Sequence, residues 1–214
     1  MAGAPSVRNI IVGAASAYLS VATKQDGTAA AALPTFIAST SARVTLASDV
    51  NWNDIGYTTD GISTMYEPNY GEAVVDQLLD AARLFKTSMK VTIQTSFSEA
   101  TLANLFITMN QATGYSASTD TDTVPVQGAT GSVQVLGGAL GDYPVERSLT
   151  FVGPGPRPVS GNSERIYYLA RAMSIDSSTH ALKREDVTVF PVSFRVLPLA
   201  STSNAYGKIV DRGF

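Results

Sequence analysis

The residue types that carry most enzymatic chemistry are scarce in this chain, and those present are badly spaced for it. Cysteine is absent and histidine occurs once, at His180. That excludes disulfide scaffolds, cysteine nucleophiles, Cys-ligated zinc and multi-histidine metal sites within one chain. His180 follows Ser177-Ser178-Thr179 in a polar stretch, where we expect an exposed turn. Serines and aspartates are plentiful, but no Gly-x-Ser-x-Gly elbow accompanies the histidine. Asp120-Thr121-Asp122 has the start of a calcium loop without its glycine or closing glutamate. Gly137-Gly138-Ala139-Leu140-Gly141 is glycine-rich, yet no Lys-Ser/Thr follows to hold a phosphate, so it reads as a tight turn. Trp52 and the pair Tyr167-Tyr168 read as core and interface residues. No cofactor is implied.

Charge is thin as well as catalytically mute. Of 214 residues, 15 are Lys or Arg and 18 Asp or Glu, a net charge of −3 and only 15% charged. A strong grip on nucleic acid needs a basic patch that this balance does not supply. A surface so poor in charge resists self-association weakly. The charges are also segregated. Asp49 to Lys86 holds seven acids and two bases, whereas Glu164 to Phe214 holds seven bases and five acids. Unlike surfaces of this kind steer repeated contacts between copies of one chain. The residues expected to make such contacts are Asp54, Asp60 and Glu67 on the acidic side, Lys208 and Arg212 on the basic side.

The elements that must position these groups are mostly strands. At 44% hydrophobic the chain can bury a sizeable core, and Thr, Ser, Val, Gly and Ala dominate it throughout. Strands are expected at Val7–Val12, Ala17–Ala22, Arg43–Ser48, Met89–Ser96, Ser132–Leu136, Arg147–Val152, Arg165–Ile175 and Thr188–Leu197. Met89 to Ser96 alternates most cleanly, Val91 and Ile93 pointing one way and Lys90, Thr92 and Gln94 the other. Gly153 to Pro158 forms a rigid corner. One helix is marked over about 97–111: Ser96-Phe97-Ser98-Glu99 fits a capping box, and Leu102, Leu105, Phe106 and Met109 form an apolar stripe. Residues 72–85 read either as a helix, from Val74, Leu78, Ala82 and Phe85, or as a strand. Residues 113–131 form a long loop almost without apolar anchors, and loops of that length usually serve function or assembly. No apolar run reaches the ~20 residues of a membrane span. Ile10 to Ala22 has some signal-peptide character, but Gly13, Ser16 and Ser20 thin it, and a strand pair is the expected structure.

In this order the motifs resemble the major tail tube proteins of long-tailed (siphovirus-type) bacteriophages. Val12-Gly13-Ala14, Ala17 to Ala22, Gly27-Thr28 and Leu33-Pro34 resemble that family's opening strand pair. Trp52-Asn-Asp-Ile-Gly-Tyr-Thr-Thr-Asp-Gly-Ile62 is similar to its most specific signature. Val75-Asp76-Gln77 and the segment Ser98 to Leu105 resemble what precedes its helix and the helix itself. Arg184-Glu185-Asp186, Pro191 to Phe194, Pro198 and Tyr206 to Asp211 resemble its closing strands and tail. The matches span Val7 to Asp211, and only the 113–131 loop departs.

The resemblance implies a single domain over 1–214, mainly β, an antiparallel sandwich of the barrel-forming tail-tube type with one flanking helix and long assembly loops. It favours the strand reading of Glu72–Gln77. It implies a non-enzymatic virion protein made in the host cytoplasm, in which hexameric rings stack into a hollow tail tube for genome ejection. The implied partners are other copies, the tape measure protein and the tip and terminator proteins. Double-stranded DNA would pass through the lumen without specific binding, and no membrane insertion is implied. The other reading is a β-sandwich binding or adhesion module, since such domains also carry long loops.

Overall fold

The computed structural model describes residues 11, 13–24, 26–33, 46, 51–77, 80–110, 115–116, 132–133, 135, 137, 140–141, 144–156, 162–176, 179–180, 187–200, 203 and 205–213. The expected strands Val7–Val12 and Arg43–Ser48 fall almost wholly outside these residues, as do Asp120 and Asp122 and most of the 113–131 loop. The elements are β1 (Ser16–Ser20), β2 (Trp52–Asp54), β3 (Thr58–Ala73), β4 (Arg83–Phe97), α1 (Leu102–Thr108), β5 (Tyr115–Ser116), β6 (Ser132–Val133), β7 (Arg147–Pro154), β8 (Ser163–Ser174), β9 (Phe190–Val196) and β10 (Gly207–Gly213).

Eight of these strands form one sheet in the order β2-β1-β7-β8-β9-β4-β3, with β10 also on β8; β5 and β6 make a separate pair. Every pairing is antiparallel. The sheet is open, which corrects the expected sandwich or barrel. The path starts at β2 and ends at β3 without joining, and no second layer of strands faces it among the described residues. The physical reason lies at β8. Its residues 164–172 pair with β7 along one edge, while β10 takes 163–169 and β9 takes 172–174 on the other. The closing strands therefore extend the sheet already built.

Period-2 alternation divides the buried residues between two faces. Ala17, Leu19, Val91, Ile93, Leu149, Phe151, Leu169 and the β9 residues Phe190, Val192, Phe194 and Val196 make one cluster, joined by Ile107 from α1. Tyr18, Trp52, Val152, Ile166, Tyr168 and Ala170 make the other, joined by Leu46 and flanked by Ala29, Ala31 and Leu33. Trp52 meets Tyr168 edge to face at 6.4 Å, and the Tyr168 hydroxyl donates to Ala31 O. Buried Ser148 ties this face together, accepting from Ala31 N at 2.9 Å and donating to Ala170 O at 2.8 Å.

The helix is shorter than its sequence signal and capped elsewhere. Ser96 and Phe97 remain in β4, paired to Pro191 and Phe190, so Ser96 cannot cap. Thr101 does, its side chain accepting from Asn104 N at 3.2 Å. The buried face is Asn104, Phe106, Ile107 and Thr108, whereas Leu102 is exposed. Residues 72–77 are neither of the expected alternatives throughout: β3 runs to Ala73, 74–77 leave it, and Phe85 lies in β4.

Candidate functional site

Two features of the β3–β4 region stand out from the packed body. The first is the corner between β2 and β3, which contains the tryptophan signature. Trp52 is buried, and Ile55 is buried with its N–H donated to Ala17 O at 3.1 Å. Gly56 has φ of +79° and donates its N–H to Asp54 Oδ1 at 2.9 Å. The positive φ favours glycine at this position, and a Cβ there would displace only the flexible Glu99 carboxylate. Tyr57 N–H donates to Glu99 Oε1 at 3.1 Å, and Tyr57 O accepts from Ser98 N at 2.9 Å. Asn104, the buried polar residue of α1, donates from one amide nitrogen to Ile55 O at 3.0 Å and Glu99 O at 2.9 Å. The corner is thus pinned to the start of the helix. The Tyr57 side chain it presents is 80% exposed.

Immediately beyond, Asp60 (φ 63°) and Gly61 (φ 70°) bulge out of β3. The register moves from Thr59↔Ser96 to Ile62↔Thr95, so two residues of β3 face no partner. Aspartate tolerates this left-handed conformation better than most residues. The bulge borders a cleft of ≈ 360 Å³ that also takes in Gln94, Asp176, Val192 and Ser193. Among the described residues no group of three or more metal-ligating side chains occurs here or elsewhere.

The second feature is an arm. β9 flanks β4 only from Val91 to Phe97, so β3 and β4 continue from Tyr66–Val91 to Ala73–Arg83 as a two-stranded ribbon. Eight residues of β3 face nine of β4, Thr87 being left without a partner by a register shift, which gives the ribbon a length of ~27 Å. Alternation places Tyr66, Pro68 and Tyr70 on the face that carries Val91 and Ile93 into the core, with Leu84 opposite Glu72. Tyr66, Tyr70 and Leu84 are each about half exposed or more. The opposite face is more polar. Glu67 and Lys90 pair at 3.6 Å, Asn69 donates to Ser88 Oγ at 3.0 Å, and Phe85 lies over Gly71. Burial near Tyr167 raises the Tyr66 pKa above its ordinary value.

The base of the arm and the body together form a groove of ≈ 550 Å³, with Ile62 and Tyr66 on one wall and Phe151, Tyr167 and Ile209 on the other. Phe151 and Tyr167 stack at 4.6 Å and 16°. Arg165 also lines it, and its guanidinium makes a two-point pair with Asp211 (2.5 and 2.6 Å). That pair holds the Asp211 carboxyl below the usual carboxylate range.

The charged residues singled out by sequence are separated by this geometry. Asp54 and Asp60 flank Tyr57 by three residues on either side, are exposed, and have no ion-pair partner among the described residues. Glu67 lies out on the arm, already paired to Lys90. Lys208 is exposed on β10 opposite Tyr168. Arg212 sits differently: its Nε donates to Glu164 Oε1 at 2.8 Å, and the side chains are 10% and 1% exposed. Its charge is engaged inside the subunit. His180 departs from the expected exposed turn. It is half-buried, edge-on to Phe190 at 4.6 Å, and its buried Nδ1 has no hydrogen-bond partner among the described residues.

The arm and Tyr57 were missed from sequence. Alternation could have extended β4 back through Leu84 and Lys86, but the competing helical stripe over 74–85 masked it. No family model matches the sequence, and neither does any curated protein.

Proposed function

We propose that this chain is a structural subunit that assembles with copies of itself into stacked hexameric rings, forming the hollow tail tube of a long-tailed bacteriophage. The observation that carries the reading is the arm. An isolated two-stranded hairpin is marginal in water, yet this one extends beyond the sheet with Tyr66, Tyr70 and Leu84 uncovered on its core-side face. The outer edge of β3 carries no partner strand among the described residues. A long open edge is an aggregation hazard that natural proteins blunt or cover, and Pro68, the Asp60–Gly61 bulge and Glu67 blunt this one only in places. A neighbouring copy would cover what remains. The ordered resemblance of its motifs selects the tail tube among self-assembling proteins.

In this role the protein acts by shape. It encloses the tape measure protein during assembly and lets DNA slide through, without a catalytic step. Negative-stain microscopy of purified protein over a range of concentrations tests the proposal. Six-fold rings or tubes are expected. A protein that stays monomeric at every concentration and salt would overturn it.

A further inference from the structure

We propose that Arg147 is a receptor for an oxyanion, a carboxylate or phosphate group that takes two parallel hydrogen bonds from its guanidinium. Arg147 opens β7 opposite Ala172 and is partly buried. One end of the guanidinium is already engaged, Nη1 donating to Ser20 O at 3.1 Å and to Val21 O at 3.2 Å. Its central carbon lies 5.8 Å from the centroid of the buried Phe106 ring, within reach of a cation–π contact. These contacts fix the plane of the group. They leave Nε and Nη2, its side edge, without a partner among the described residues. Neither atom is among the buried polar atoms that lack a partner, which are Thr92 Oγ1, Thr150 Oγ1 and His180 Nδ1. The edge therefore reaches solvent.

Elsewhere in the chain the same edge is filled. In Arg171, Nη1 donates to Pro198 O while Nε and Nη2 donate to the two Glu146 oxygens, each at 2.7 Å. Arg165 likewise sets Nε and Nη2 on the two oxygens of Asp211. Both use the planar fork that matches carboxylate and phosphate geometry. Arg147 has the carbonyl anchoring of Arg171 without the carboxylate. Its chain neighbour Glu146 does not supply one, because that side chain is committed to Arg171. Two carbonyls and a ring face give the cation no counter-ion, and burial holds the Arg147 pKa below its ordinary value. A desolvated charge is costly until it is paired, and a fork already held in place has little freedom left to lose on binding. Chloride, a single atom, cannot take both bonds. Two sources can present an oxyanion here. One is a carboxylate of a second copy, for which Asp54 and Asp60 are exposed and lack ion-pair partners among the described residues. The other is free phosphate.

The site is tested on dilute, isotope-labelled full-length protein, titrated with sodium phosphate, sodium acetate and sodium chloride at matched ionic strength. The Arg147 side-chain Nε–H resonance, assigned by its loss in Arg147→Lys, reports the edge directly. Phosphate and acetate should shift it saturably, and chloride should not. Arg147→Lys keeps the charge and loses the fork, so phosphate should bind it roughly tenfold more weakly. The rise in melting temperature that phosphate gives the parent beyond chloride should vanish with it. A resonance that responds equally to all three salts would overturn the site, as would a phosphate-specific rise of equal size in Arg147→Lys. Sedimentation velocity over a concentration series then separates the sources. If a second copy fills the fork, phosphate competes with association and Arg147→Lys weakens it about tenfold. If free phosphate fills it, association is indifferent to both. A parent that never associates would overturn the tail-tube reading and leave the anion titration to stand or fall by itself.

Discussion

Arg212 illustrates how a single position acquires a role that its charge alone does not reveal. Its guanidinium meets Glu164, whose side chain is almost fully buried, across the β8–β10 ladder. Removing one partner of a buried pair leaves a desolvated charge and typically costs about 3–5 kcal/mol. Arg212→Ala should therefore lower the urea midpoint by that equivalent, whereas Lys208→Ala, exposed on the same strand, should leave it nearly unchanged. Gly207 is a second structural position on β10. A Cβ there would fall 2.0 Å from Tyr168 O, so Gly207→Ala should detach the start of β10 and raise amide exchange along 207–213. Tyr168 supplies a pH signature. Burial raises its pKa above 10, so its contribution is fully present below the unfolded value and is lost as pH rises through the folded one. Alkaline unfolding followed by tyrosinate absorbance should shift upward in Tyr168→Phe if this ionisation drives it.

At the scale of elements, the legible parts were those whose pattern answers to burial on both sides. β1, β7, β8 and β9 lie centrally, and their alternation or apolar density predicts them within a few residues. The helix was legible in place but not in phase. Ser96-Phe97-Ser98-Glu99 satisfies the capping pattern, yet β4 keeps Ser96, and Glu99 reaches Tyr57 N–H. Local pattern could not show that a strand partner claims the cap. Phe106 remains a core residue, 8% exposed, with the Arg147 guanidinium 5.8 Å from its ring centroid. Phe106→Ala should cost about 3–5 kcal/mol, and Leu102→Ala, on the exposed side, well under 1 kcal/mol. The arm gives the opposite expectation. Joining Glu67 directly to Lys90 through an Asn-Gly turn removes the exposed ribbon without touching the β4–β9 ladder. The shortened protein should melt close to the parent and fail to assemble. Hydrogen exchange on the parent should show 66–73 and 83–90 opening well below the global free energy, because few buried contacts hold them.

For the whole molecule, the mainly-β class was legible from composition, but the arrangement of the sheet was not. Nothing in the order of strands announces that β9 and β10 share one edge of β8, because that depends on pairings twenty or more residues apart. The charge pattern is different, since it survives folding in altered form. Arg212 is withdrawn from the exposed set and Glu67 is paired on the arm, which leaves Asp54, Asp60 and Lys208 as charges open to another copy. Exposed pairs contribute little to affinity and much to encounter rate, and salt screens them beyond ~8–10 Å. Raising ionic strength should then slow polymerisation, followed by light scattering, more than it loosens finished assemblies. Lys208→Glu alone should reproduce that slowing at low salt without the folding defect that Arg212→Glu would add. Asp54→Lys with Asp60→Lys in the same chain should restore part of the rate, because the sign of both surfaces is then reversed. Unchanged kinetics in Lys208→Glu would assign the encounter to apolar contact alone.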